Sequence, residues 1–230
     1  MGPNSRPRLV VFDCDGTLVD SQHVIVACML AAYAAHGLAA PEPSAIRRVI
    51  GLPLLECMAR LSPGHPEDSH TRLTEAYKEA FYASRQRPDH HEPLFDGAVA
   101  ALDRLEAQGY LLGIATGKAR RGLDAVLDRH NLARRFVTLQ TGDQGPGKPH
   151  PAMLERAMIE TGVAPEDVFM IGDTSYDMLM ARNAGVHAIG VGWGYHPAEE
   201  LRAAGAHAVI GSFDELPATF PSFDRSVACA

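Results

Sequence analysis

Short, wholly apolar runs alternate along this chain with stretches whose apolar positions recur at helical spacing. The run at 9–12, LVVF, reads as a buried strand that ends directly in the polar segment DCDGT. From about residue 21 to residue 83 the pattern is helical throughout. The segment VIVACMLAAYAAHG makes a first helix that stops at Gly37, and shorter helical pieces follow at 45–49, 54–60 and 67–83. From Pro93 the rhythm changes: strands at 110–115, 136–140, 168–171, 187–191 and 208–210 alternate with helices at 97–108, 120–130, 151–160, 175–184 and 197–204. Apolar strands separated by helices of ten or so residues predict a parallel sheet covered on both faces. The expected architecture is a doubly wound α/β core, residues 1–19 and 93–230, with a small all-helical domain, residues 20–92, inserted after the first strand.

Composition narrows the classes. With 230 residues, 46% of them hydrophobic, the chain can bury a core without help from a metal or disulfide. Its formal net charge of −7 argues against nucleic acid as a partner, since phosphate-backbone affinity needs clustered Lys and Arg. Any anionic substrate must then be attracted locally, by a bound cation or a few placed basic groups. The cysteines at 14, 28, 57 and 229 form no CxxC pair and read as reduced, mostly buried thiols. The N-terminal segment lacks a long apolar run, Arg6 breaks a myristoylation pattern after Gly2, and no stretch approaches the ~20 apolar residues of a membrane span. A cytoplasmic protein without a membrane partner is the expectation.

Candidate chemistry lies in where polar residues fall. Asp13 and Asp15 follow one strand, Thr116 ends another, Asp173 follows a third, and Lys148 sits in the loop QGPGKPHP before a helix. The carboxyl ends of parallel strands are where open α/β folds hold ligands. Crowded carboxylates resist ionisation unless a cation lies between them, and Mg2+ suits an all-oxygen set completed by substrate phosphate. Lys148 offers a point charge to phosphate, and Thr116 with the turn that follows offers hydrogen-bond donors. Asp13 is a candidate carboxylate nucleophile, Asp15 a candidate general acid and base, and Gly16 lets the chain turn away sharply.

The segments VFDCDGTLVDS, GIATGK, GKPHP and GDTSYDMLMARNAG, in that order, resemble the four motifs of the haloacid dehalogenase-like hydrolases. The run VGWGYHPAEELRAAGAHAVIGSFDEL is similar to the C-terminal part of phosphoglycolate-phosphatase-like members of that superfamily. The resemblance covers about residues 9–216. It implies a Rossmann-type core with a helical cap that closes over the site. It also implies Asp13 as nucleophile, Asp15 as acid and base, and the DGT residues Gly16 and Thr17 in support. Thr116 and the Gly117 N–H would bind the phosphoryl group, while Lys148 would pair with phosphate and Asp13. Asp13, Asp173 and the Asp15 carbonyl would hold Mg2+, with Asp177 supporting that shell.

A Mg2+-dependent phosphatase acting on a small phosphorylated metabolite through an aspartyl-phosphate is the expected function. A β-phosphoglucomutase-like phosphomutase stands behind it, and a phospho-accepting signalling module further off. Position 117 is Gly where many members carry Asn. For the remaining polar residues the ordinary readings are favoured: Cys14 a buried hydrophobe, and Lys118, Arg120 and Arg121 solvated helix-start residues. Arg47 and Arg48 read as solvated, and His90 and His91 as linker residues without a chemical role. Asp177 reads either as a metal-shell residue or as an acid favoured in a helix's first turn. Trp193 reads equally as a site-rim residue or as a packing one.

Overall fold

A computed structural model describes residues 6–220. Strand β1 (Leu9–Phe12) is followed by four helices, α1 (Gln22–Ala35), α2 (Pro43–Val49), α3 (Leu54–Leu61) and α4 (Glu67–Arg85). The chain then alternates: α5 (Ala98–Ala107), β2 (Leu111–Thr116), α6 (Arg120–Arg129), β3 (Phe136–Thr141), α7 (Ala152–Thr161), β4 (Val168–Gly172), α8 (Ser175–Asn183), β5 (His187–Val191), α9 (Ala198–Ala203), β6 (Ala208–Ile210) and α10 (Leu216–Thr219). Strands β2 and β3 each run one residue beyond their expected ends, which brings Thr116 and Thr141 into the ladder. Cys229 lies outside the described residues.

The six strands form one parallel sheet in the order β3-β2-β1-β4-β5-β6. Strand β1 is fully buried because alternate residues serve both faces. Val10 and Phe12 pack with Leu102, Leu123 and Leu127 from α5 and α6. Leu9 and Val11 pack with Met153, Leu154 and Met178 from α7 and α8. The strand order reverses direction between β1 and β4, and a crevice opens at such a switch beyond the strands' carboxyl ends. Asp13 and Asp173 sit there.

Helices α1–α4 have a separate apolar core, including Ile25, Met29, Ile46, Met58, Leu73 and Phe81, with Tyr176 and Tyr195 of the α/β part packed against it. The two connectors between the parts run side by side. Asp20 N–H donates to Pro93 O (2.8 Å) and Phe95 N–H to Leu18 O (2.9 Å). Among the described residues no helix is long and apolar enough to cross a membrane. Cys14, Cys28 and Cys57 are buried and unpaired by disulfides.

Candidate active site

Asp13 directly follows β1, and its N–H bonds across to Ile171 O of β4 (2.9 Å), so its position is fixed by the central ladder. Its Oδ1 accepts from Cys14 N–H (2.6 Å) and faces Lys148 Nζ at 2.9 Å. Its Oδ2 is buried without a hydrogen-bond partner. The turn beyond it is held by Gly16 N–H donating to Val19 O (2.9 Å), with Gly16 at φ +90°. A Cβ at Gly16 would strike the Asp173 carboxylate and the Tyr195 ring, so only glycine admits the approach of β4's end.

Asp173 enters from β4. Its Oδ1 accepts from Thr17 Oγ1 and its Oδ2 from Tyr195 N–H, both at 2.9 Å. Asp177 lies one turn into α8, where it completes a capping box with Thr174. Its Oδ2 accepts from Thr174 N–H (3.0 Å) and Oγ1 (2.6 Å), which leaves Oδ1 for Lys148 Nζ at 2.6 Å. Asp177 thus takes the place expected of an acid in a helix's first turn, and its free oxygen seats the buried lysine.

Asp13, Asp173 and Asp177 can each bring an oxygen within 4.8 Å of the others, all buried. Burial, with Asp177 and Asp15 adding to it, outweighs Lys148 and raises the Asp13 carboxyl to about 7. Burial and then Asp13 push the Asp173 carboxyl well above the usual range. Lys148 shows the converse: burial opposes its charge, but Asp13 and Asp177 raise its pKa strongly. Three carboxylates around one ammonium leave two negative charges uncompensated, which suits one hard divalent cation held by oxygen donors.

Thr116 ends β2 on the same edge, buried, with its Oγ1 accepting from Lys118 N–H (3.2 Å). The next residue, Gly117, meets the helical insert: a Cβ there would lie 2.5 Å from Leu52 O and 2.6 Å from Gly51 O. A Cβ at Gly147, beside Lys148, would likewise collide with the Pro53 ring. The segment 51–53 thus lies directly on the loops that carry Thr116 and Lys148. Its contact explains why position 117 is glycine in this chain. Three core side chains clasp the same part of the insert. Tyr176 OH (3.0 Å) and His196 Nε2 (3.2 Å) both reach Arg48 O, and Glu200 pairs with the Arg48 guanidinium at 2.7 Å.

The structure corrects several expectations. Lys118 is not solvated: its side chain is 9% exposed, with Nζ 3.0 Å from Asp15 Oδ1 and 3.9 Å from Glu92 Oε1. Burial opposes its charge, yet Asp15 and Glu92 outweigh that and raise its pKa. Asp15 Oδ1 also accepts from Ser21 Oγ (2.6 Å). His90 lies in the return linker as expected, but its side chain is buried, with Nε2 2.8 Å from Glu92 Oε2. Arg48 and Arg120 are both exposed, as expected, in surface pairs with Glu200 and Asp124. Trp193 is half-buried, packs between Phe95 and Phe213 and donates to Thr17 O (3.1 Å). Burial and the flanking Asp15 push the Cys14 thiol well above its ordinary range, in keeping with an inert hydrophobe. Glu92 and the Gly51–Leu52 backbone gave no local signal, because their partners Lys118 and Gly117 are distant in sequence, whereas Thr174 and Ser21 pair with Asp177 and Asp15 only three and six residues away and were missed in spite of that.

The model of the haloacid dehalogenase-like hydrolases matches residues 10–191. The chain belongs to that family. A Dickeya dadantii protein named as the phosphatase IndB is 34% identical over 90% of this chain and 91% of its own length. A phosphoglycolate phosphatase of Nitrosococcus oceani is 30% identical, covering 92% and 95% of the two chains. A haloacid dehalogenase-like hydrolase of Bacteroides fragilis has a solved structure that superposes with a TM-score of 0.84 at 28% identity, over 92% of this chain and all of that one. The doubly wound parallel core is thus common to this hydrolase and its relatives.

Proposed function

We propose that this hydrolase is a Mg2+-dependent phosphatase that cleaves a small phosphate monoester of the phosphoglycolate type through a phosphoryl group carried on Asp13. One observation carries the reading: a buried carboxylate oxygen, Asp13 Oδ2, stands unpartnered beside a buried ammonium at the end of the central strand. Its partners hold Oδ1, so Oδ2 is the oxygen open to phosphorus. Attack by Oδ2 forms the Asp13–phosphorus bond, while the ester bond breaks with its electron pair on the leaving oxygen. The Asp15 carboxyl gives that oxygen a proton. Water then attacks the same phosphorus, passes a proton to the Asp15 carboxylate, and the Asp13 carboxylate is regenerated.

Lys148 neutralises phosphoryl charge in both steps, and the Thr116 hydroxyl and Gly117 N–H bind its oxygens. The carboxylates of Asp13 and Asp173 with the Asp15 carbonyl are the set that would hold the cation, while Asp177 caps its helix and seats Lys148 beside them. When bound, Mg2+ supplies charge neutralisation that lets the carboxylates ionise together. Residues 20–92 act as a cap over the core formed by 1–19 and 93–230, and the contact of 51–53 with Gly117 is its closed position. Closure excludes water from the first step.

Phosphate release from a panel of phosphorylated metabolites, including 2-phosphoglycolate, tests this. Release that needs Mg2+ and vanishes in Asp13→Asn is expected. An Asp13→Asn variant as fast as the parent overturns the proposal.

A further inference from the structure

A row of buried polar groups leads away from Asp15. Lys118 Nζ lies between Asp15 Oδ1 and Glu92 Oε1, at 3.0 and 3.9 Å, and 5.0 Å above the centre of the Phe81 ring. Glu92 Oε2 meets His90 Nε2 at 2.8 Å, and His90 Nδ1 meets Ser84 Oγ at 3.1 Å. The Glu92 side chain is 1% exposed, and its main-chain oxygen takes His130 Nε2 at 2.8 Å. Ser84 belongs to the last turn of α4, His90 and Glu92 to the connector that returns to the core, and Lys118 to the turn after β2.

Such an arrangement is costly to keep. Replacing buried charges of this kind by apolar groups is often neutral or stabilising, whereas leaving one partner alone is not. A lone surface-type lysine gains nothing by reaching inward past the helix start. Lys118 does so with its ammonium over the Phe81 ring and between two carboxylates, only one of which belongs to the reacting site. Asp15 also needs such a hold. It must meet a leaving oxygen and then a water at defined places, and an error of about 1 Å there can cost on the order of a hundredfold in rate.

We propose that Lys118 is the positioning residue for Asp15, with Glu92 fixing the ammonium and His90 fixing Glu92, so that the return connector of the insert helps aim the carboxyl group. The proposal rests on the reading of Asp15 as acid and base, and it adds residues to that reading rather than a new reaction. Lys118 touches neither phosphorus nor the leaving group. Its whole effect passes through Asp15.

Acid-quenched single turnovers separate this from a structural role. Acetyl phosphate expels acetate, which leaves without a proton; an alkyl phosphate leaves only with one. Lys118→Met should form phospho-Asp13 from acetyl phosphate at within about threefold of the parent rate. It should then lose the phosphoryl group on the order of a hundredfold more slowly, so phosphoenzyme accumulates. With the alkyl phosphate that the parent turns over fastest, formation itself should fall by a similar factor. The labelled fraction counts folded sites, so a folding defect lowers the amplitude and leaves this pattern of rates intact. Glu92→Gln should shift the same two steps by about threefold to tenfold and add nothing in the Lys118→Met background. Equal slowing of every step, or alkyl-ester rates within threefold of the parent, overturns the proposal. A parent that forms no phospho-Asp13 defeats the phosphatase reading itself.

Discussion

Gly117→Ala tests whether the contact between the insert and the phosphate-binding turn is part of the working cycle. The added Cβ would sit 2.5 Å from Leu52 O and 2.6 Å from Gly51 O. Reaching a separation of ~3.5 Å requires a movement of about 1 Å. The turn cannot retreat, because Gly142 lies against Gly117 O so closely that it could bear no Cβ of its own. The insert must therefore lift. Overpacking of this kind costs about 1–3 kcal/mol, which lowers the closed population by roughly 5- to 150-fold relative to the open one. Opening relieves the clash, so thermal stability should change little while kcat/KM falls at least fivefold. Small-angle scattering should show a larger radius of gyration for the variant with product phosphate present. A Gly117→Ala enzyme with kcat/KM within twofold of the parent would refute the argument that 51–53 closes on this turn during catalysis.

Other perturbations have defined outcomes. Lys148→Met leaves the Asp13 and Asp177 carboxylates buried without their cation; denaturant unfolding of the metal-free protein should show a loss of about 3–5 kcal/mol, with no turnover. Tyr176→Phe removes one donor to Arg48 O and should weaken the closed position by about 0.5–1.5 kcal/mol, read as a twofold to tenfold rise in KM with Tm almost unchanged. The Asp13 carboxyl, raised to about 7, holds a proton at pH 6 that a divalent cation must displace. Mg2+ affinity by titration calorimetry should therefore rise with pH from 5 to 7, with protons released on binding, and the raised Asp173 carboxyl adds to that dependence. Affinity independent of pH between 5 and 7 would contradict that assignment.

Much of the fold was legible because most strands are short, largely apolar runs and the helices between them repeat at their own period. Leu9–Phe12, buried on both faces, and the strands at 168–171 and 187–191 needed no tertiary information. The order of the strands did: β1 beside β4 depends on the crossovers and leaves no mark in either strand. In the site, Asp13, Asp173, Thr116 and Lys148 were readable as polar residues placed where apolar runs stop. Lys118 was misread because the first residues of an exposed helix are ordinarily solvated. Its partner Glu92 lies 26 positions earlier, in a connector without periodicity. Gly117 was visible as a departure from its relatives, yet its reason is a backbone contact from residues 51 and 52 that no local pattern encodes.

The most direct test of the account is to mix the Mg2+-loaded protein with its best phosphate ester, quench in acid within one turnover, and locate the phosphoryl group by peptide mass spectrometry. The account predicts a phosphoryl group on Asp13, absent from Asp13→Asn. Phosphate release at the normal rate with Asp13 never modified would contradict it.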